Sequence, residues 1–149
     1  MAFYGTLSEA DTYFLTERFD LSQLWAKETD QNKQAALAMA TRAIDQLNFI
    51  GDKNDETQEL EFPRGADTVV PTQIEHACYE RAYCYLDGID PEREAELEAS
   101  LSVAVGPVRE RKSSDFIPEH RKHGIPSATA WRLLFPFLRN NRDIVLVRV

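Results

Sequence analysis

No stretch of the 149-residue chain approaches the ~18 consecutive apolar residues that a membrane-spanning helix requires, so that class is set aside. Basic residues are also in deficit. Lys+Arg number 17 against 25 Asp+Glu, a formal net charge of -8. A protein that grips nucleic acid over its whole surface is basic, because the phosphate backbone supplies much of the affinity. Cysteine occurs twice, at Cys78 and Cys84, too few for a disulfide framework or a four-cysteine metal site. Within one regular helix the two thiols lie about 9 Å apart along the axis and cannot bridge. The amino terminus has no basic-then-apolar signal pattern. A Gly-rich phosphate cradle, a serine nucleophile elbow, a dinucleotide fingerprint and a His-Glu-x-x-His zinc motif are all missing. The sequence makes no positive case for an enzyme, and no catalytic, cofactor or metal residue is assigned.

What remains is ample for one domain. Apolar residues make up 43% and charged residues 28%, which excludes pervasive disorder. The charge is unevenly placed. Residues 1–75 hold 14 acids and 6 bases, whereas residues 76–149 hold 11 of each. Between Asp45 and Glu61 there are six acids and one lysine; between Arg109 and Lys122 there are five bases and three acids. Such asymmetry suits head-to-side packing of identical subunits as well as it suits any ligand.

Helical periodicity dominates. Ser8 reads as a helix cap, with Leu7 packing back and Tyr13 and Phe14 inward, in a helix ending near Phe19. Leu21 to Trp25 reads as an apolar link. A second, alanine-rich helix is expected from Thr29 or Asp30 to about Asn48, with Leu37, Thr41, Ile44 and Leu47 on one face and Met39 on a second packing edge. Residues 51–70 read as a long loop in which Leu60 and Phe62 are pinned to the helices and Pro63 argues against a central strand. Pro71 is expected in the first turn of a third helix, with Ile74, Cys78, Ala82 and Tyr85 in line and Gly88 as its stop. Asp90 then caps a short fourth helix. Leu101 to Val108 reads as extended or hairpin, broken at Gly106-Pro107. A fifth helix follows Ser127, with Trp131, Leu134, Phe135 and Leu138 on its apolar face and a break at Pro136.

The fold class is therefore mainly α: a small bundle of about four to five helices in a single domain spanning 1–149. The helical core covers about 8–100 and 126–138, with an extended or β-hairpin arm over 101–124 and a β-prone tail over 143–149. Leu37, Ile44, Ile74, Trp131 and Leu134 are the expected core.

His76 and Glu80, four apart, lack a third ligand and read as an exposed helix pair. Cys78 reads as a small buried hydrophobe. The arm is charged and has one aromatic residue, so a protein contact suits it better than a nucleic-acid groove. Ile144, Leu146 and Arg148 alternate along a tail whose backbone needs a partner strand. Arg109, Arg111, Lys112, Phe116, Arg121, Lys122, Ile144, Leu146 and Arg148 are the candidate assembly contacts.

Several segments, in order over nearly the whole chain, resemble a phage family of head–tail connector or head-completion proteins, often labelled DnaT-like single-stranded DNA-binding proteins. They are Leu7-Ser-Glu-Ala-Asp-Thr-Tyr13-Phe14, the alanine-rich Ala35–Leu47, Gln58-Glu-Leu60-Glu-Phe62-Pro-Arg64, Val70-Pro71, Val103–Val108 and Trp131-Arg-Leu-Leu-Phe-Pro-Phe137-Leu138. The family usually has Trp-Pro-Arg where this chain has Phe62-Pro63-Arg64. It usually has a small residue at the position of Phe135. The resemblance implies a subunit of a typically dodecameric ring in the virion neck, assembled in the host cytoplasm. Its partners would be copies of itself, the portal protein and the next neck or tail-terminator protein. Packaged double-stranded DNA would pass through the lumen without sequence-specific binding. The label implies an alternative, single-stranded DNA binding of a replication type. A second alternative is an acidic helical adaptor or assembly chaperone.

Overall fold

The computed structural model describes residues 2–89 and 118–139. They are mainly helical, and no strand longer than a single bridge occurs among them. Helix α1 spans Leu7–Thr16, α2 Ser22–Lys27, α3 Asp30–Asp45, α4 Thr72–Leu86, α5 Glu119–Lys122 and α6 Ala128–Leu134. Single 3₁₀ turns cover Phe19–Leu21 and Phe135–Phe137. The expected helix at Asp90, the segment 101–117 and the tail 143–149 lie outside the described residues.

Helix α1 is capped two residues earlier than expected. Thr6, not Ser8, accepts the Glu9 amide at 3.2 Å, and its hydroxyl donates to the Glu9 carboxylate at 2.8 Å. Glu9 stands three residues after Thr6 and can return the contact, which fixes the start there. The helix stops at Thr16 rather than near Phe19, and the expected link Leu21–Trp25 runs from the end of a 3₁₀ turn into helix α2, which buries Trp25. Trp25 stacks on Phe14 at 4.4 Å and donates its indole hydrogen to Asp11 at 2.7 Å. A short apolar segment thus gains a helical turn by packing.

Helix α3 is capped by Thr29 and buries Leu37, Thr41 and Ile44 as its spacing predicts. It ends three residues before Asn48. Met39 faces solvent rather than a second packing edge; the buried positions of α3 are Lys33, Ala36, Leu37, Ala38, Ala40, Thr41 and Ile44.

Helix α4 is the central element, contacted by α1, α2, α3 and α6. This explains why Ile74 and Ala77 through Ala82 form a continuous buried run. Pro71 is its cap rather than its first residue. The helix ends in a Schellman arrangement: Gly88, at φ 74°, donates to Tyr85, and Ile89 donates to Cys84.

The part of the expected arm that is described departs from an extended course. Residues 119–122 form α5, and Ile125 behind it is fully buried. Ser127 then caps α6, accepting the Ala130 amide at 3.1 Å. The break at Pro136 occurs as a 3₁₀ turn. Three residues per turn rotate Phe135 outward, to 54% exposure, and carry Phe137 onto the Phe62 ring at 5.7 Å. Phe135 therefore leaves the apolar face on which its spacing put it, and Trp131 is only half-buried. Leu37, Ile44, Ile74 and Leu134 are in the core as expected.

Candidate functional site

Where α1 meets α4 the polar groups form one buried node. Glu80 is 2% exposed, so it is not half of an exposed pair with His76. Its Oε1 accepts from the Tyr13 hydroxyl at 2.7 Å and from the Arg18 guanidinium at 2.9 Å. Burial raises the Glu80 carboxyl above its ordinary value, opposed by those two donors. Arg18 also grips Asp20 through two nitrogens, at 3.1 and 3.2 Å. His76 packs its ring on Tyr13 at 4.5 Å between centres. The sequence signal for this node was helical: Glu80 lies two residues after Cys78, on a helix covered from several sides.

Two further clusters hold cations in the same way. Lys33 is buried, pairs with Asp11 at 2.9 Å and lies 5.4 Å from the centre of the Trp25 ring. In the long loop, Arg64 pairs with Glu61 at 2.5 Å and donates to the carbonyls of Ile50 and Gly51. Lys53 takes the other oxygen of Glu61 at 3.1 Å. Phe62, beside the cis Phe62–Pro63 peptide, is buried between Phe49 and Phe137, and Tyr4 joins the loop to α3 by donating to Asp45 and accepting from the Phe62 amide. The Phe-Pro-Arg segment is thus a clasp that closes the loop on its own backbone.

Of the candidate contact residues, Arg109, Arg111, Lys112, Phe116, Ile144, Leu146 and Arg148 lie outside the described residues. Arg121 and Lys122 are on α5. Lys122 is exposed, 3.9 Å from Glu119, which also meets His123 at 3.1 Å. His123 stacks nearly parallel on Trp131, 5.5 Å between centres. The fold therefore sets an aromatic pair beside the basic turn, a neighbourhood that sequence spacing did not reveal because eight residues separate the two rings.

Nothing in these clusters supplies a ready nucleophile. Burial pushes the Cys78 thiol up to about 12, with its sulfur against Thr41 and the Leu37 carbonyl. Among the described residues no group of three His, Cys, Asp or Glu side chains converges on a metal position. The arrangement binds its own surfaces together: carboxylates are consumed by internal donors, and cations by internal acids.

Comparison with family models matches residues 3–148 to the family described as "Putative DnaT-like ssDNA binding protein". The chain belongs to this family. The match spans the long loop, the central α4 and the α5–α6 corner together, so the clasp and the buried node are features of a family member. No curated protein and no solved structure matches the chain.

Proposed function

We propose that this family member is a structural subunit that assembles into a ring between the portal and the tail of a phage particle, extending the DNA channel and offering a tail-docking surface. The observation that carries this reading is the internal pairing of Arg18, Lys33, Lys53 and Arg64 with Glu80, Asp11 and Glu61. Cations held this way are poorly placed to track a phosphate backbone, whereas a channel must pass DNA without gripping it. Exposed apolar side chains at Leu15, Phe19, Ile50, Val69 and Phe135 suit contacts with protein neighbours. Electron microscopy of the protein with its portal, or of virions, tests the reading. A ring of density at the neck that fits this fold is expected, and its absence from the neck refutes it.

The family description favours a second reading, single-stranded DNA binding, more directly than it favours the ring. The α5–α6 corner, with the exposed Lys122 next to the His123–Trp131 pair, is the described surface that suits it. Fluorescence anisotropy with an oligothymidine strand separates the two. Binding that weakens steeply with salt and is lost on Trp131→Ala supports the DNA reading.

A further inference from the structure

Helices α1 and α4 leave an open groove between them, with a cavity volume of about 360 Å³. Its floor is aromatic, made by the Tyr13 ring and the His76 imidazole packed on it. Its walls are acidic, with Glu9 of α1, Glu17 just after that helix and Glu75 of α4, and the Thr12 hydroxyl on the same wall as Glu9. Among the described residues neither lysine nor arginine lines it. Among the described residues no ion pair reaches Glu75, and burial together with the charge of Glu9 pushes its carboxyl up. A carboxylate in that position is relieved by an incoming cation. Flat rings beneath carboxylates suit a guanidinium best, because it stacks on an aromatic face while donating from its edge.

The chain carries two guanidinium groups and an ammonium in one short block, Arg109, Arg111 and Lys112. We infer that the α1–α4 groove of one copy receives the segment Arg109–Lys112 of a second copy. Groove and segment are different parts of the chain, so the contact is heterologous and repeats head to tail, the geometry that closes into a ring. It also gives the charge asymmetry a use: the acidic half of one copy meets the basic block of the next. The inference rests on the self-assembly in the proposed function and not on the portal or tail contacts.

Two full-length variants test it, Glu17→Lys with Glu75→Lys in the groove and Arg109→Glu with Arg111→Glu in the segment. Sedimentation velocity should show the wild-type protein self-associating and each variant alone as a monomer. An equimolar mixture should give a heterodimer and nothing larger, since one intact groove and one intact segment remain. Absence of heterodimer overturns the inference, as does a wild-type protein that stays monomeric at every concentration. If a charge reversal prevents folding, Glu75→Gln and Arg111→Gln replace it, and each should weaken self-association at least tenfold. Unchanged association in those variants overturns the inference. A protein that assembles through this groove yet is absent from the virion neck would overturn the proposed function alone.

Discussion

Tyr13 and Glu80 are joined by a 2.7 Å hydrogen bond across sixty-seven positions of the chain, and the same carboxylate oxygen takes Arg18. This node fixes α1 against the central helix at a site where an unpaired carboxylate would be costly. Tyr13→Phe keeps the ring contacts with Phe14 and His76 and removes only the donor. A loss of about 1.5–3 kcal/mol in urea denaturation is expected, the range for a hydrogen bond to a charged group.

The node and the Tyr4–Asp45 pair also set a pH dependence. Burial raises the carboxyls of Glu80 and Asp45 above their ordinary values, 4.5 and 3.8. Each therefore holds its proton more tightly folded than unfolded. The stability they contribute is full below those ordinary values and is lost as pH rises through the raised folded ones. On acidification from neutrality toward 4.5, the wild-type melting temperature should gain relative to Glu80→Gln. A constant difference between the two proteins across that window would contradict the shift at Glu80.

Ile44 is fully buried on the inner face of α3. Ile44→Ala removes packed methyl groups and leaves a cavity beneath α4, so a loss of about 2–5 kcal/mol is expected in chemical denaturation. A loss below about 0.5 kcal/mol would mean that this face is not packed as described.

Arg64 holds the loop by pairing with Glu61 while donating to the Ile50 and Gly51 carbonyls. Arg64→Ala should raise amide exchange over residues 50–65 while leaving protection in α3 and α4 near the wild-type level. Arg64→Lys should restore little of it, because one ammonium cannot span acceptors that a planar fork reaches together. Hydrogen-exchange mass spectrometry reads both.

Gly5 lies at φ 75°, and a Cβ built there would stand 2.0 Å from the Tyr79 hydroxyl oxygen and 2.7 Å from its ring carbon. Gly5→Ala combines left-handed backbone strain with overpacking and should cost about 2–5 kcal/mol in thermal or chemical denaturation. Adding Tyr79→Phe should recover only part of that, since the ring carbon still blocks the methyl group.

Helix type, the burial of Leu37, Ile44, Ile74, Cys78 and Leu134, the stop at Gly88 and the break at Pro136 were legible in the sequence. Apolar spacing and the backbone limits of glycine and proline act locally, through the first turn or two of chain. The mainly helical character follows from the same local rules. Tertiary structure decided what depends on distant partners. The Leu21–Trp25 link became helical because Trp25 packs on Phe14 and donates to Asp11. Glu80 went inside because Tyr13 and Arg18 arrive from α1 and its following turn to satisfy it. Arg64 turned inward because the loop's own carbonyls needed a donor. The groove floor and the His123–Trp131 stack likewise exist only once helices remote in sequence, or turns on either side of Ile125, are brought together. A charged side chain's pattern in sequence is the same whether it faces water or an internal partner; only the position of that partner, set by packing across the whole chain, settles which.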